Sequence, residues 1–189
     1  MLITKMVPSA EGQRAATPGC AAASKDSRAS SGVRTADLRM MWHGAFLFLI
    51  GLVTGLQQRR FTNMRMALSA HLEGVMNGTF LIALGAIWGN VELPPPLEQA
   101  ARWTALYGTY GNWFFTALGA AMGTAAANPT LSQGHLGKPW QERLAGAGFR
   151  SIAYSIIVVV VLILRGLARP LRANSTALRP NRRSSGPAE

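Results

Sequence analysis

The chain has 189 residues, 49% of them hydrophobic, yet carries a formal charge of +11 from 19 Lys and Arg against 8 Asp and Glu. Its one cysteine, Cys20, excludes an intrachain disulfide framework and a Cys-x-x-Cys-His haem attachment. A thiolate-held centre at membrane depth is excluded with them, so any buried cofactor must rely on histidine or oxygen ligands. The basic residues crowd the first 40 positions, 59–65 and 165–183, with long uncharged runs between. That segregation fits a membrane protein whose basic flanks meet lipid headgroups, and it argues against a nucleic-acid-binding fold.

Residues 1–39 are rich in Ala, Ser and Gly and lack apolar periodicity. They are predicted to form a disordered tail, and 9–36 contain no continuous apolar stretch of the kind a secretory signal needs. The first hydrophobic segment, 40–56, is uncharged and has His43 near its start. A second, 66–88, is interrupted by His71, Glu73 and Asn77. Pro94, Pro95 and Pro96 follow and are expected to stop it. The third, 103–127, again has no formal charge, and the last, 144–164, has Arg150 near its start and a β-branched run at 156–161. Each has the roughly 17–25 residues that a helix needs to cross a bilayer. Trp42, Trp88, Trp103 and Trp140 stand at or near segment ends, where indole rings suit the headgroup layer. The expected fold is therefore all-α: an oligomeric, integral membrane four-helix bundle over 40–168, followed by a basic disordered tail, 169–189. An even number of spans puts both termini on one face of a bacterial-type inner membrane. The flanking arginines favour the cytoplasmic face, although Arg59, Arg60 and Arg65 in the first loop argue the other way.

The spacings Gly51/Gly55, Gly74/Gly78 and Gly119/Gly123 each place two glycines on one helix face and predict close helix packing. The polar residues of the second segment are more informative, because ionisable groups at membrane depth are costly and usually face a cavity, a partner or a cofactor. At about 100° per residue, Ala67, His71, Gly74, Gly78 and Gly85 share one face. That face offers an imidazole beside Gly74 and Gly78, with clearance for a flat macrocycle; the alternative is an ordinary hydrogen bond from His71 to a neighbouring helix. Glu73 and Asn77 share a second stripe, with Asn77 about 120° from His71 by the same arithmetic. If both serve one site, the simplest arrangement takes His71 from one protomer and Asn77 from its neighbour. On the third segment, Asn112 and Thr116 line one face while Trp103, Tyr107 and Tyr110 line another. Tyr110 and Asn112 lie deep enough to line a pocket. His43 is either interfacial or a hydrogen-bond donor to an anionic group.

The runs Trp42-His43-Gly44-Ala45-Phe46-Leu47, Leu68-Ser69-Ala70-His71-Leu72-Glu73-Gly74-Val75-Met76-Asn77-Gly78 and Tyr110-Gly111-Asn112-Trp113 resemble the hydroxylaminobenzene mutases. They are more distantly similar to the styrene oxide isomerases. The resemblance covers about 40–168 and implies a homotrimeric membrane isomerase with haem b between subunits, His71 as axial iron ligand and Asn77 in the pocket of a small aromatic substrate. Where the epoxide isomerases carry an acid and a tyrosine on the third helix, Gly108 and Thr116 stand nearest here. Tyr110 and Asn112 are the substitutes expected to act beside Asn77. The departure favours rearrangement of an arylhydroxylamine to a 2-aminophenol over epoxide isomerisation. Two other classes remain open: a b-type cytochrome with His43 as second axial ligand, and a cofactor-free transporter or scaffold with Glu73 as its coupling acid.

Overall fold

The computed structural model describes residues 36–124 and 127–177, the side chains of 172–177 excepted. Four helices follow in order, α1 (Leu38–Leu56), α2 (Met64–Ile87), α3 (Pro95–Met122) and α4 (Pro139–Ala177), with no strand among the described residues. Three of the helical stretches, Leu38–Leu56, Met64–Asn90 and Pro139–Leu171, are long and apolar enough to cross a membrane. The third helix is the exception. It has 28 residues, about 42 Å of rise, but Glu98, Arg102 and its run of Thr, Tyr and Asn make it more polar than the others. Several of those groups are satisfied inside the protein. The hydroxyls of Thr109 and Thr116 donate to the carbonyls of Ala105 and Asn112, at 2.7 and 2.8 Å.

The helix ends explain where the sequence expectation fails. α2 closes at Ile87, before the proline triplet, and Pro95 is instead the first residue of α3. A proline at that position loses nothing, since its missing N–H has no intrahelical partner anyway. α3 ends at Gly123, whose φ of 67° is left-handed and whose N–H bonds the Gly119 carbonyl. Gly123 is thus a cap, while its partner in the glycine spacing, Gly119, lies against Met66. The tail expected from 169 is helical as far as Ala177, with Pro170 inside α4. Pro170 has no N–H to offer the carbonyl four residues back, that of Gly166. The Glu92 N–H takes its place at 3.1 Å, so the connection between α2 and α3 satisfies α4 where the proline cannot. The tails at 1–35 and 178–189 lie outside the described residues.

α1 and α2 pack along a seam of small residues. A Cβ on Gly44 would lie 2.6 Å from the Gly78 carbonyl oxygen, and one on Gly51 would lie 2.8 Å from the Gly74 carbonyl carbon. Only a residue without a side chain permits that approach. Asp37 caps α1 by accepting from the Arg39 and Met40 N–H groups, and Asn63 caps α2 by accepting from that of Met66. Both caps also bind other elements. Asp37 pairs with Arg102 of α3, while Asn63, fully buried, donates to the Leu131 carbonyl at 2.7 Å. Arg102 also reaches Glu98 at 2.8 Å and lies 4.6 Å over the Trp88 ring, tying α1, α2 and α3 together at one end of the bundle.

Candidate functional site

The expected site residues fall into three places. His71 stands on the α1 side of α2. Its Nδ1 is 2.8 Å from the Gly51 carbonyl, which can only accept, so Nδ1 carries the proton and donates. In the neutral ring this leaves Nε2 as the nitrogen with a free lone pair, an arrangement in which an imidazole can ligate a metal. The ring lies against Gly55, where a Cβ would sit 2.7 Å from Nδ1.

Gly74 and Gly78 do not provide the expected opening beside this imidazole. Their clearance is filled by α1: a Cβ on Gly74 would lie 2.5 Å from the Gly51 Cα, and one on Gly78 would lie 2.6 Å from the Phe48 nitrogen. The glycines bring two backbones together, and any group reaching His71 must come from outside this seam.

On the α3 side of α2, the Glu73 carboxylate accepts from two amides. The Asn77 Nδ2 is 3.3 Å from Oε2, and the Asn112 Nδ2 makes a shorter bond to the same oxygen. Both amides turn their nitrogens to this one oxygen, which leaves both Oδ1 atoms as acceptors. No other hydrogen bond engages these oxygens among the described residues. His71 and Asn77 thus lie on different sides of α2, as their helical angle requires. Between the two sides runs an exposed stripe of Leu68, Leu72 and Met76, the last 67% exposed.

Tyr110 belongs elsewhere. Its hydroxyl donates to the His43 carbonyl at 3.0 Å and lies 3.2 Å from His43 Nδ1, with the two rings edge to face. The pair borders a groove of about 480 Å³ between α1 and α3, lined by Trp42, Phe46, Trp103, Leu106 and Tyr107. Tyr110 and Asn112, two residues apart, point to different faces of α3 and do not meet. Nor do His43 and His71. The latter lies at Gly55, twelve positions along α1 from His43, which is about 18 Å of helical rise. One chain cannot clamp a single iron between them, which removes the intrachain bis-histidine arrangement. Among the described residues no group of three or more His, Cys, Asp or Glu could hold a bare metal ion.

Glu73 is the hub of the amide cluster, a role not among those expected for it from the sequence. Its four-residue spacing to Asn77 was the available signal. The contact with Asn112 depends on how α2 and α3 are set against each other, which periodicity within one helix does not give. Trp113 was also missed; its Nε1 donates to the Thr54 hydroxyl at 3.1 Å and its ring covers Gly74.

The molecule is a small helical membrane protein, with three helices long and apolar enough to cross a bilayer and a polar cluster set between α2 and α3. The chain belongs to the styrene oxide isomerase family, whose model matches residues 36–168. No curated protein and no solved structure matches it. Family membership places the chain among isomerases.

Proposed function

We propose that the protein rearranges an arylhydroxylamine to a 2-aminophenol by intramolecular hydroxyl transfer, at a haem b site shared between the protomers of a homotrimer. The observation that carries this reading is the Glu73 cluster, in which one carboxylate oxygen takes both amide nitrogens and leaves the carbonyl oxygens of Asn77 and Asn112 to accept. An arylhydroxylamine carries N–H and O–H donors that such a site can engage, whereas an epoxide has none. Sites built to bond a substrate N–H or O–H discriminate against analogues lacking it by about 10⁴–10⁵.

His71 fits the cofactor. One imidazole cannot hold a bare transition ion, but it suffices for an iron already carried by a macrocycle, and its tautomer leaves Nε2 for that bond. Bound haem supplies Lewis-acid chemistry at the substrate oxygen. The chain's own residues do the rest. Asn77 and Asn112 accept from the hydroxylamino group and fix its orientation, Glu73 holds both amides in place, and apolar Leu72 and Met76 beside them help keep water away. The net reaction breaks one N–O bond and forms one C–O bond at the ortho carbon. A ring proton is lost and the nitrogen gains one, so no electron donor or acceptor is required. His71 and Asn77 flank α2 on opposite sides, and a shared site supplies each from a different protomer.

The family match favours a second reading, isomerisation of an epoxide at the same place. The test is purified protein given phenylhydroxylamine and styrene oxide side by side, with absorption spectra recorded. We expect 2-aminophenol to form, and His71→Ala to remove haem absorbance and turnover together. Turnover of the epoxide alone would replace the first reading with the second. Full activity in a His71→Ala protein would remove the haem assignment.

A further inference from the structure

Near its start, α4 carries a cationic notch that the proposed isomerase site does not use. A cavity of about 470 Å³ is lined by Arg143, Gly146, Phe149, Arg150 and Ala153, together with Glu142 and Ala127. Arg143 and Arg150 are seven residues apart and share a helix face, and Gly146 and Ala153 leave space beside them. Both arginines are exposed, and among the described residues neither makes an ion pair or a side-chain hydrogen bond. Glu142 brings one negative charge against the two guanidiniums, so the lining keeps a positive excess, and its carboxylate also accepts from the Gly137 N–H at 2.8 Å.

The same helix face indicates what surrounds the notch. Continuing by sevens from Arg143 and Arg150 leads to Ile157 and Leu164, which are 61% and 63% exposed. That stripe faces hydrocarbon. Arg143 to Arg165 spans 22 residues, about 33 Å of rise, close to the thickness of a bilayer's apolar core. Arg143 therefore stands at the boundary, and the backbone of Arg150 lies about 10 Å inside it. An unpaired guanidinium at that depth is costly unless it reaches the headgroups. Arg150 does turn back: its Nη1 lies over Gly146, 3.9 Å from where a Cβ would be and one turn nearer Arg143. Two guanidiniums thus converge on one apolar-floored notch at headgroup level, with Phe149 beside it.

We propose that this notch is a binding site for the phosphate of an anionic phospholipid, held between Arg143 and Arg150 with an acyl chain along Ile157 and Leu164. Arginine is suited to this through its fork of donors, which matches phosphate oxygens in pairs. The full chain in detergent should be given phosphatidylglycerol or phosphatidylcholine, with lipid retention read by native mass spectrometry. Phosphatidylglycerol should be retained in preference, and Arg143→Gln or Arg150→Gln should each weaken it about fivefold. Gly146→Leu should also weaken it with the charge intact, because that glycine has open space for a side chain and the notch would be filled. Arg169→Gln, at the far end of α4, should leave retention unchanged. Equal retention of the two lipids, or a double Arg143/Arg150 variant that binds like wild type, would overturn the proposal. So would inorganic phosphate that displaces the lipid at matched concentration, since the ligand would then be the free anion.

Discussion

Gly74→Ala is the sharpest probe of the seam between α1 and α2. The added Cβ would lie 2.5 Å from the Gly51 Cα and 3.1 Å from both the Gly51 nitrogen and the Trp113 Cδ1. Carbon atoms pack at about 3.5–4.0 Å, so the helices must part by roughly 1 Å. His71 then loses its anchor, since a separation of 2.8 Å from Nδ1 to the Gly51 carbonyl widens beyond hydrogen-bonding reach. Overpacking of this kind costs about 1–3 kcal/mol and the hydrogen bond about 1 more. Alanine's better helix propensity returns about 1, for a net loss of about 1–3 kcal/mol. Gly111→Ala is the control. Its Cβ meets only Ile152 side-chain atoms, at 3.1 and 3.4 Å and no backbone, so a shift of a few tenths of an ångström suffices and the change should cost less than Gly74→Ala. Thermal unfolding in detergent, with haem absorbance per protein followed in parallel, separates the two. If Gly74→Ala melts like Gly111→Ala and retains its full Soret band, neither the seam nor the His71 anchor works as argued.

Two further outcomes follow from the polar clusters. Glu73→Ala frees both amides to turn and should lower kcat/KM for the arylhydroxylamine about 10–100-fold while haem absorbance persists, the loss expected for about 1–3 kcal/mol of hydrogen bonding. Steady-state production of 2-aminophenol checks it, and unchanged kinetics would remove Glu73 as the positioning residue. Tyr110→Phe removes the hydroxyl that bonds both the carbonyl and the Nδ1 of His43, remote from the amide cluster in the same chain, and should cost about 1–2 kcal/mol of stability with activity within about fivefold of wild type. A Tyr110→Phe enzyme that folds normally but loses activity about 100-fold would return the tyrosine to the reacting site.

What could be read from the sequence was what lies within a single helix. Predominantly apolar runs locate α1 and α2 to within about two residues, because bilayer thickness fixes their length. The angle between His71 and Asn77 follows from helical periodicity and matches their placement on different sides of α2. The failures concern relations between segments. A proline triplet marks a helix boundary without saying which helix it bounds, and here it starts α3. The tail expected from 169 is instead helical past Pro170, where the Glu92 N–H from another connection satisfies the Gly166 carbonyl that the proline cannot. Gly74 and Gly78 advertise clearance, yet only the packed structure shows that α1 fills it. Asn112 meets Glu73 because of the relative register of α2 and α3, and nothing local encodes that.

The two sides of α2 also make a quantitative demand on assembly. Within one chain His71 faces α1 and Asn77 joins Asn112 on the α3 side, so neither residue reaches the other's surroundings. If each active site takes His71 from one protomer and Asn77 from the next, two inactive variants can repair each other. Co-expressing His71→Ala and Asn77→Ala chains in equal amounts gives cyclic oligomers of random composition. A site is intact only where an Asn77→Ala protomer supplies the histidine and a His71→Ala neighbour supplies the asparagine, which happens at about one site in four. About a quarter of wild-type activity should therefore return from two parents that are each inactive alone, measured against total protein purified through a tag that both chains share, with no selection for mixed oligomers. Selecting for mixed oligomers only raises that fraction. A site built inside one chain gives none, since every protomer lacks one of the two residues, and a mixture as inactive as its parents would sink the shared-site reasoning while leaving the chemistry of either residue untouched.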